Sequence, residues 1–221
     1  LGKYPLVAYP IAAAKLSTRI EQVVVSTDSS EIADIAVSFG ADVPFLRPTE
    51  ISQDDSPDID FFRHYVSFLQ GQKVDVPEYL VHLRPTTPLR DIAIIDKGID
   101  FLLSRPEATS MRSVYPSSFS PYKVFKLEDS FLKGFFSGGS TPEYYNLPRQ
   151  AFPQTYIPNG YVDIIKTKTL DTGVLHGDKL LGHIVDKVPD IDDEEDFFYA
   201  EKCLDDARFS TLLSNMELLF N

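Results

Sequence analysis

The sequence predicts an α/β fold with a mostly parallel sheet packed between helices. Short runs rich in β-branched or aromatic residues, such as residues 23–25 and 79–83, alternate with segments whose apolar residues recur every three or four positions. Short connections between such segments are typical of parallel strands covered on both faces by helices. With 221 residues, of which 43% are hydrophobic, the chain can bury a sizeable core as one domain over residues 1–221.

The first elements follow from local signals. Residues 23–25 are a run of valines that predicts a buried strand, and the helix after it should stop at Gly40. Residues 42–45 predict a brief edge strand, because their proline lacks the amide hydrogen that a central strand donates. Ser56-Pro57 predicts the start of a second helix, since proline is favoured in a first helical turn.

The next predicted strand, residues 79–83, runs directly into a loop at residues 84–90 that contains two prolines. Asp91 then opens a third helix. In open α/β sheets, ligands bind beyond the carboxyl ends of the strands. We therefore expect this loop, and the loop at residues 26–28 after the first strand, to lie beside a binding site.

Residues 113–158 differ from the rest of the chain, because Tyr and Phe become dense and the helical periodicity disappears. We interpret this segment as an insertion or β-rich arm, with a turn at Gly138-Gly139-Ser140. The sheet pattern resumes at residues 160–165, and a helix over residues 194–206 closes the predicted fold.

Composition excludes several functional classes. The chain has 21 Lys and Arg against 33 Asp and Glu, a formal charge of −12, so nucleic acid is not an expected partner. The most apolar stretch, residues 4–14, contains two prolines and is too short to cross a bilayer, so no membrane association is expected. Cys203 is the only cysteine, which predicts no intrachain disulfide and a cytoplasmic location.

Asp190 and Asp192 form an Asp-x-Asp pattern near the last predicted helix. In an extended segment, residues two apart face the same side, so both carboxylates can approach one cation while Ile191 points into the core. Mg²⁺ commonly takes one or two protein carboxylates and completes its shell with water and substrate phosphates. The alternative is that the acidic run complements the dipole of the helix that follows, and we prefer that interpretation for residues 193–196.

The loop at residues 84–90 combines basic and hydroxyl side chains. Arg84 and Arg90 can grip a carboxylate or phosphate through the planar guanidinium group, and Thr86 or Thr87 can donate a hydrogen bond to a ligand. The alternative is a surface turn whose arginines pair with neighbouring acids, which are abundant in this chain.

Four more residues are candidate ligands, and two of them are open to a second interpretation. Arg149 and Gln150 follow a proline in the arm and are candidate ligands of a substrate. Asn159, which precedes a glycine, belongs either to a site or only to a tight turn. Lys123 is either a ligand or a solvated lysine.

Taken together, several stretches resemble the acylneuraminate cytidylyltransferase (CMP-sialic acid synthetase) family and occur in the order that the family shows. They span nearly the whole chain, and their joint order and spacing make a chance match improbable. The stretches are Gly2-Lys3-Tyr4-Pro5-Leu6, Val25-Ser26-Thr27-Asp28, Phe45-Leu46-Arg47-Pro48, Arg84-Pro85-Thr86-Thr87-Pro88-Leu89-Arg90, Pro148-Arg149-Gln150, Pro158-Asn159-Gly160 and Asp190-Ile191-Asp192.

The resemblance implies a Rossmann-like nucleotidyltransferase fold with a β-rich dimerisation arm. It also implies a reaction in which CTP and a 2-keto-3-deoxy sugar acid give a CMP-sugar and pyrophosphate, with Mg²⁺ as cofactor, for glycoconjugate synthesis. The resemblance implies that Asp190 and Asp192 bind the metal and are catalytic, and that Arg90 is also catalytic. The implied nucleotide-binding residues are Ser26, Thr27, Asp28 and Thr86. The implied residues for the sugar acid are Arg84, Thr87, Lys123, Arg149, Gln150 and Asn159.

The resemblance further implies a homodimer. Lys123 and Arg149 match family positions that hold the sugar carboxylate from the arm of a partner subunit, which makes residues 113–158 the dimerisation arm. In the family, a strand and a glycine- and basic-rich phosphate loop come immediately before the stretch that matches Gly2-Lys3. We therefore expect such a segment before this sequence.

Arg84 departs from the family, which usually has glutamine at this position beside the sugar. An added cation predicts a different or more anionic acceptor, for example an acid like legionaminate, pseudaminate or an ulosonate. A second alternative, from another class, is a catalytically inactive module that binds a nucleotide or a sugar.

Overall fold

The computed structural model describes residues 1–136 and 141–220. The helices in these ranges are α1 Ala8–Leu16, α2 Ser30–Ser38, α3 Asp58–Gly71, α4 Ile92–Leu103, α5 Glu194–Lys202 and α6 Ser210–Phe220. The strands are β1 Tyr79–His82, β2 Ser110–Pro116, β3 Phe125–Glu128, β4 Phe131–Gly134, β5 Tyr156–Lys166 and β6 Leu180–Ile184. The predicted turn at Gly138-Gly139-Ser140 lies outside the described residues.

The larger sheet has the strand order β1-β5-β2-β6 and confirms the α/β class. Strands β1, β2 and β6 run in the same direction, with β2 and β6 paired in parallel, while β5 lies between β1 and β2 and runs antiparallel to both. This exception to the parallel pattern has a simple cause. An antiparallel pair needs only a reversal of the chain, which the segment between β2 and β5 provides, whereas a parallel pair needs a crossover.

The residues of β5 show how the core is divided between the two faces of the sheet. Ile164 packs with the core cluster that includes helices α1, α4 and α6, and Ile165 packs with the cluster formed by α3. Successive side chains of a strand point to opposite faces, so this alternation places helices on both sides, as predicted.

The predicted first strand is very short in the structure. A single parallel bridge joins Val24 to Asp42, with Val25 N donating to the Asp42 carbonyl at 2.9 Å and Asp42 N donating to the Val23 carbonyl at 2.8 Å. The predicted segments at residues 23–25 and 42–45 therefore pair with each other. Between them, α2 ends before Gly40, whose φ of +81° is the left-handed conformation expected of a helix-stopping glycine.

The segment that joins β2 to β5 covers residues 117–155, because β2 continues to Pro116 and β5 begins at Tyr156. It is therefore narrower than the predicted range of 113–158. It contains the hairpin of β3 and β4, in which Leu127 lies opposite Leu132. We call residues 117–155 the arm. Among the helices in the described ranges, none is both long and apolar enough to span a membrane.

Candidate active site

Thr87, Asn159 and Asp190 meet where the loop after β1 crosses the beginning of β5. The Thr87 hydroxyl lies 3.0 Å from Asp190 Oδ1 and 3.3 Å from the carbonyl oxygen of Asn159, within hydrogen-bond distance of both. Thr87 and Asn159 are buried and Asp190 is half-buried. Three predicted site residues from distant parts of the sequence are thus in contact at the carboxyl ends of β1, β2 and β6.

The Asp-x-Asp segment is attached to the same loop through its backbone. Ile191 N donates to the carbonyl of Thr86 at 2.8 Å, and the Ile191 side chain packs against the core as predicted. Asp192 is exposed. The next acid, Asp193, is the N-cap of α5 and accepts from Asp196 N at 2.9 Å, which agrees with our interpretation of residues 193–196 as helix-complementing.

Asp190 and Asp192 form no salt bridge with a described residue, although Arg90 is close enough to act on Asp190 electrostatically. Carboxylates that form no salt bridge fit a magnesium ion, which needs only one or two protein oxygens when phosphates supply the rest. Within residues 1–136 and 141–220, no group of three or more His, Cys, Asp or Glu side chains is arranged to hold a metal. Any metal here would therefore depend on substrate oxygens.

Arg90 is fully buried and holds backbone rather than facing the solvent. Its Nε donates to the carbonyl of Tyr161 at 2.7 Å, and its Nη2 donates to the carbonyls of Arg84 at 2.8 Å and Gly160 at 3.3 Å. Burial lowers the pKa of Arg90 to about 10, which leaves it protonated at neutral pH. The geometry makes Arg90 a brace between the loop after β1 and the beginning of β5.

Asn159 and Gly160 lie within β5, where the pairing of β5 with β2 shifts register between Arg112 and Val114. Asn159 Oδ1 accepts from the Ser113 hydroxyl at 2.8 Å and from Tyr161 N at 3.2 Å. Gly160 has a φ of +64°, and a Cβ atom at this position would lie 2.7 Å from Thr87 Oγ1. The tight-turn alternative is therefore wrong, because Gly160 lies inside β5 at a register shift, and the close approach of Thr87 requires the glycine.

Arg84 pairs with acids of its own chain, the alternative that we raised for this loop. Its Nη2 lies 2.5 Å from Asp58 Oδ2 and 3.7 Å from Asp163 Oδ2. Asp58 is the first residue of α3, and Asp163 lies in β5. Both partners come from elements that border the site.

The loop at residues 26–28 is built separately from these contacts. The Thr27 carbonyl accepts from Arg47 N at 2.7 Å, and Thr27 Oγ1 accepts from Ser29 N at 3.1 Å. Ser26 Oγ and Arg47 Nε are buried without a hydrogen-bond partner in the described residues, while Asp28 is exposed. Unpaired buried donors are costly, so a ligand or water that satisfies them is favoured here.

Lys123, Arg149 and Gln150 lie on the arm. The Lys123 ammonium lies 5.9 Å from the ring centre of Phe152, and Arg149 Nη2 donates to the carbonyl of Ser117 at 3.1 Å. Gln150 is exposed. In the described part of this single chain, no hydrogen bond or salt bridge connects these three side chains to Asp190 or to the loop after β1.

Arg47, Asp58 and Ser113 are site neighbours that our sequence analysis did not assign. Arg47 lies in one of the stretches that carry the family resemblance, so that stretch was a usable signal. No local sequence signal identifies Asp58 or Ser113. Asp58 contacts Arg84, 26 positions away, and Ser113 contacts Asn159, 46 positions away.

The fold is similar to that of solved structures. The chain superposes on 4-diphosphocytidyl-2C-methyl-D-erythritol synthase from Anaerococcus prevotii with a TM-score of 0.57, covering 92% of this chain and 87% of the other. At 12% sequence identity, this likeness shows the fold alone.

The chain belongs to the cytidylyltransferase family, which it matches over residues 1–143. It is 33% identical over 196 residues to the N-acylneuraminate cytidylyltransferase of Escherichia coli, covering 87% of this chain and 44% of that protein. It is 37% identical over 123 residues to the CMP-N,N'-diacetyllegionaminic acid synthase of Legionella pneumophila, covering 55% and 51%. The chain thus spans about half the length of these two relatives. The predicted family is confirmed.

Proposed function

We propose that the protein is a cytidylyltransferase that uses CTP to activate a 2-keto-3-deoxy sugar acid of the sialic acid kind, giving a CMP-sugar and pyrophosphate. Family membership and the names of its relatives support CTP and an acidic sugar as substrates. The observation that carries the proposal is the contact of Thr87 with Asp190, in which the Asp190 carboxylate lies beside the loop after β1.

In the proposed reaction, the anomeric hydroxyl oxygen of the acid bonds to the α-phosphorus of CTP. The bond from that phosphorus to the bridging oxygen breaks, pyrophosphate leaves, and the hydroxyl proton passes to solvent. Asp190 and Asp192 would hold Mg²⁺, which supplies neutralisation of the phosphate charge when it is bound. The protein contributes mainly positioning and electrostatic stabilisation.

The proposed roles of the remaining residues follow from where they lie. Thr87 orients Asp190, and Arg90 fixes the loop on which Thr87 and Thr86 are carried. The loop of Ser26, Thr27 and Asp28, with its unpaired buried donors, would receive the nucleotide.

We further propose that the arm joins two copies of the chain, so that Lys123 and Arg149 hold the carboxylate of the sugar in the partner's site, near Gln150. Leu127 and Leu132 lie opposite each other on the hairpin and are 69% and 65% exposed. Apolar pairs this exposed are typical of a surface that another protein covers. The cytoplasmic location remains a prediction from composition.

The experiment that tests the function measures pyrophosphate release from CTP, with Mg²⁺ and a panel of sugar acids that includes sialic, legionaminic and pseudaminic acids. The assay uses the full-length protein. We expect release that depends on one of the acids and is lost when EDTA removes the metal. No release with any acid, although CTP binds in a calorimetric titration, would instead favour the inactive binding module.

A further inference from the structure

Four charged side chains form a compact cluster on the α3 face of the sheet, beside the proposed site. We call Asp58, Arg84, Arg112 and Asp163 the Arg84 cluster. Arg112 donates hydrogen bonds to the Asp163 carboxylate. Its Nε lies 3.1 Å from both oxygens and its Nη2 lies 2.8 Å from Oδ2. Arg84 bridges from there to Asp58. Two cations face two anions, so the cluster is electrically balanced.

The cluster is fixed more firmly at Asp163 than at Asp58. The Asp163 side chain is 3% exposed, whereas those of Arg84 and Asp58 are 29% and 31% exposed. For Asp58, burial alone would raise the pKa, but the hydrogen bond and the charge of Arg84 outweigh it and lower the pKa. Burial lowers the pKa of the neighbouring His82 to about 4, so His82 adds no charge near neutral pH.

The Arg84 side chain also borders the backbone of the site. Its Cδ lies 3.1 Å from the position that a Cβ atom of Gly160 would occupy, and its own carbonyl accepts from Arg90. At its far end, Asp58 begins α3, which follows the segment that Arg47 attaches to Thr27. The Arg84–Asp58 ion pair therefore joins the loop after β1 to the start of α3.

This geometry changes the interpretation of the arginine that replaces the family's glutamine. Because Arg84 already has two carboxylate partners in its own chain, its presence does not require a more anionic acceptor. A guanidinium held by ion pairs is well suited to fix the position of a loop.

We propose that Asp58 is a positioning residue for the acceptor site: its ion pair with Arg84 clamps the loop after β1 against the start of α3 and so sets the affinity for the sugar acid. The inference rests on the proposed function for its substrate, while the clamp itself rests on the observed ion pair. Asp58 acts through Arg84 and does not itself touch the reacting atoms.

The test compares Asp58→Asn, Arg84→Gln and the double variant with the wild type in the pyrophosphate-release assay. We expect each single variant to raise the KM for the acceptor by about tenfold, with kcat and the KM for CTP changed by less than about twofold. The KM of the double variant for the acceptor should not exceed the higher KM of the two single variants, because the two residues act as one unit. Asp58→Glu should recover part of the affinity.

Asp60→Asn is the matched control, since it removes the same charge from the same first turn of α3, where Asp60 forms no salt bridge with a described residue. We expect it to keep the wild-type KM within about twofold. If the KM for the acceptor rises in Arg84→Gln but not in Asp58→Asn, Arg84 contacts the acceptor directly and the clamp is overturned. Multiplying effects in the double variant, or equal losses in all kinetic parameters, would also overturn it.

The wild type, Asp58→Asn, Arg84→Gln and the double variant are also compared by thermal unfolding, which separates the two proposals. If the wild type releases no pyrophosphate with any acid, the proposed function and the role in acceptor affinity both fail. The clamp as a structural device would then still predict that the two single substitutions are not additive in melting temperature. Additive shifts would overturn the clamp as well.

Discussion

Asp190 and Asp192 belong to one short motif, yet their surroundings differ. Asp190 is half-buried and accepts from Thr87, whereas Asp192 is exposed and its side chain has no structural hydrogen bond or salt bridge in the described residues. A residue without structural contacts can be changed with little cost to folding. Asp192 is therefore the better residue for separating a role in catalysis from a role in stability.

We expect Asp192→Asn to lower kcat for pyrophosphate release by about 100-fold or more, because it removes one proposed metal ligand. The melting temperature should change by less than about 2 °C. Glu195→Gln is the matched control, because Glu195 is exposed in the same acidic run and should keep full activity. Retention of most of the activity by Asp192→Asn would refute the metal assignment.

Among the secondary-structure elements, those with local signals could be predicted from the sequence. Asp91 caps α4 by accepting from Ala93 N at 3.0 Å, and Gly40 follows the end of α2. The antiparallel direction of β5 and the Arg112–Asp163 pair could not be predicted, because both arise from pairing between strands that the arm separates. The bounds of the arm differ from the predicted range because aromatic residues continue into the ends of β2 and β5, at Tyr115 and Tyr156.

Arg90 holds the loop after β1 in place through hydrogen bonds to three backbone carbonyls. We expect Arg90→Met to lower the free energy of unfolding by about 3 kcal/mol, because it leaves the carbonyls of Arg84, Gly160 and Tyr161 without their buried donor. Urea unfolding measures the loss. Arg105→Met, at an exposed position, should change it by less than about 0.5 kcal/mol. A loss below about 1 kcal/mol for Arg90→Met would contradict the bracing role.

At the scale of the whole molecule, the proposed site is divided between two surfaces of one chain. Asp190 and Asp192 lie with the sheet, whereas Lys123 and Arg149 lie on the arm with no described contact between the two groups. For a chain with a formal charge of −12, cations placed on an arm are a way to bring positive charge to an anionic substrate. A two-fold dimer would complete each site with the partner's arm.

Subunit mixing tests this arrangement. Asp192→Asn and Arg149→Ala should each be nearly inactive at low acceptor concentration, the first for lack of a metal ligand and the second for weak binding of the carboxylate. After the two variants are unfolded together and refolded, half of the dimers should be mixed, and each mixed dimer has one site with Asp192 from one chain and Arg149 from the other. We therefore expect about a quarter of the wild-type activity. If each arm serves its own chain's site, every site carries one defect and mixing restores nothing.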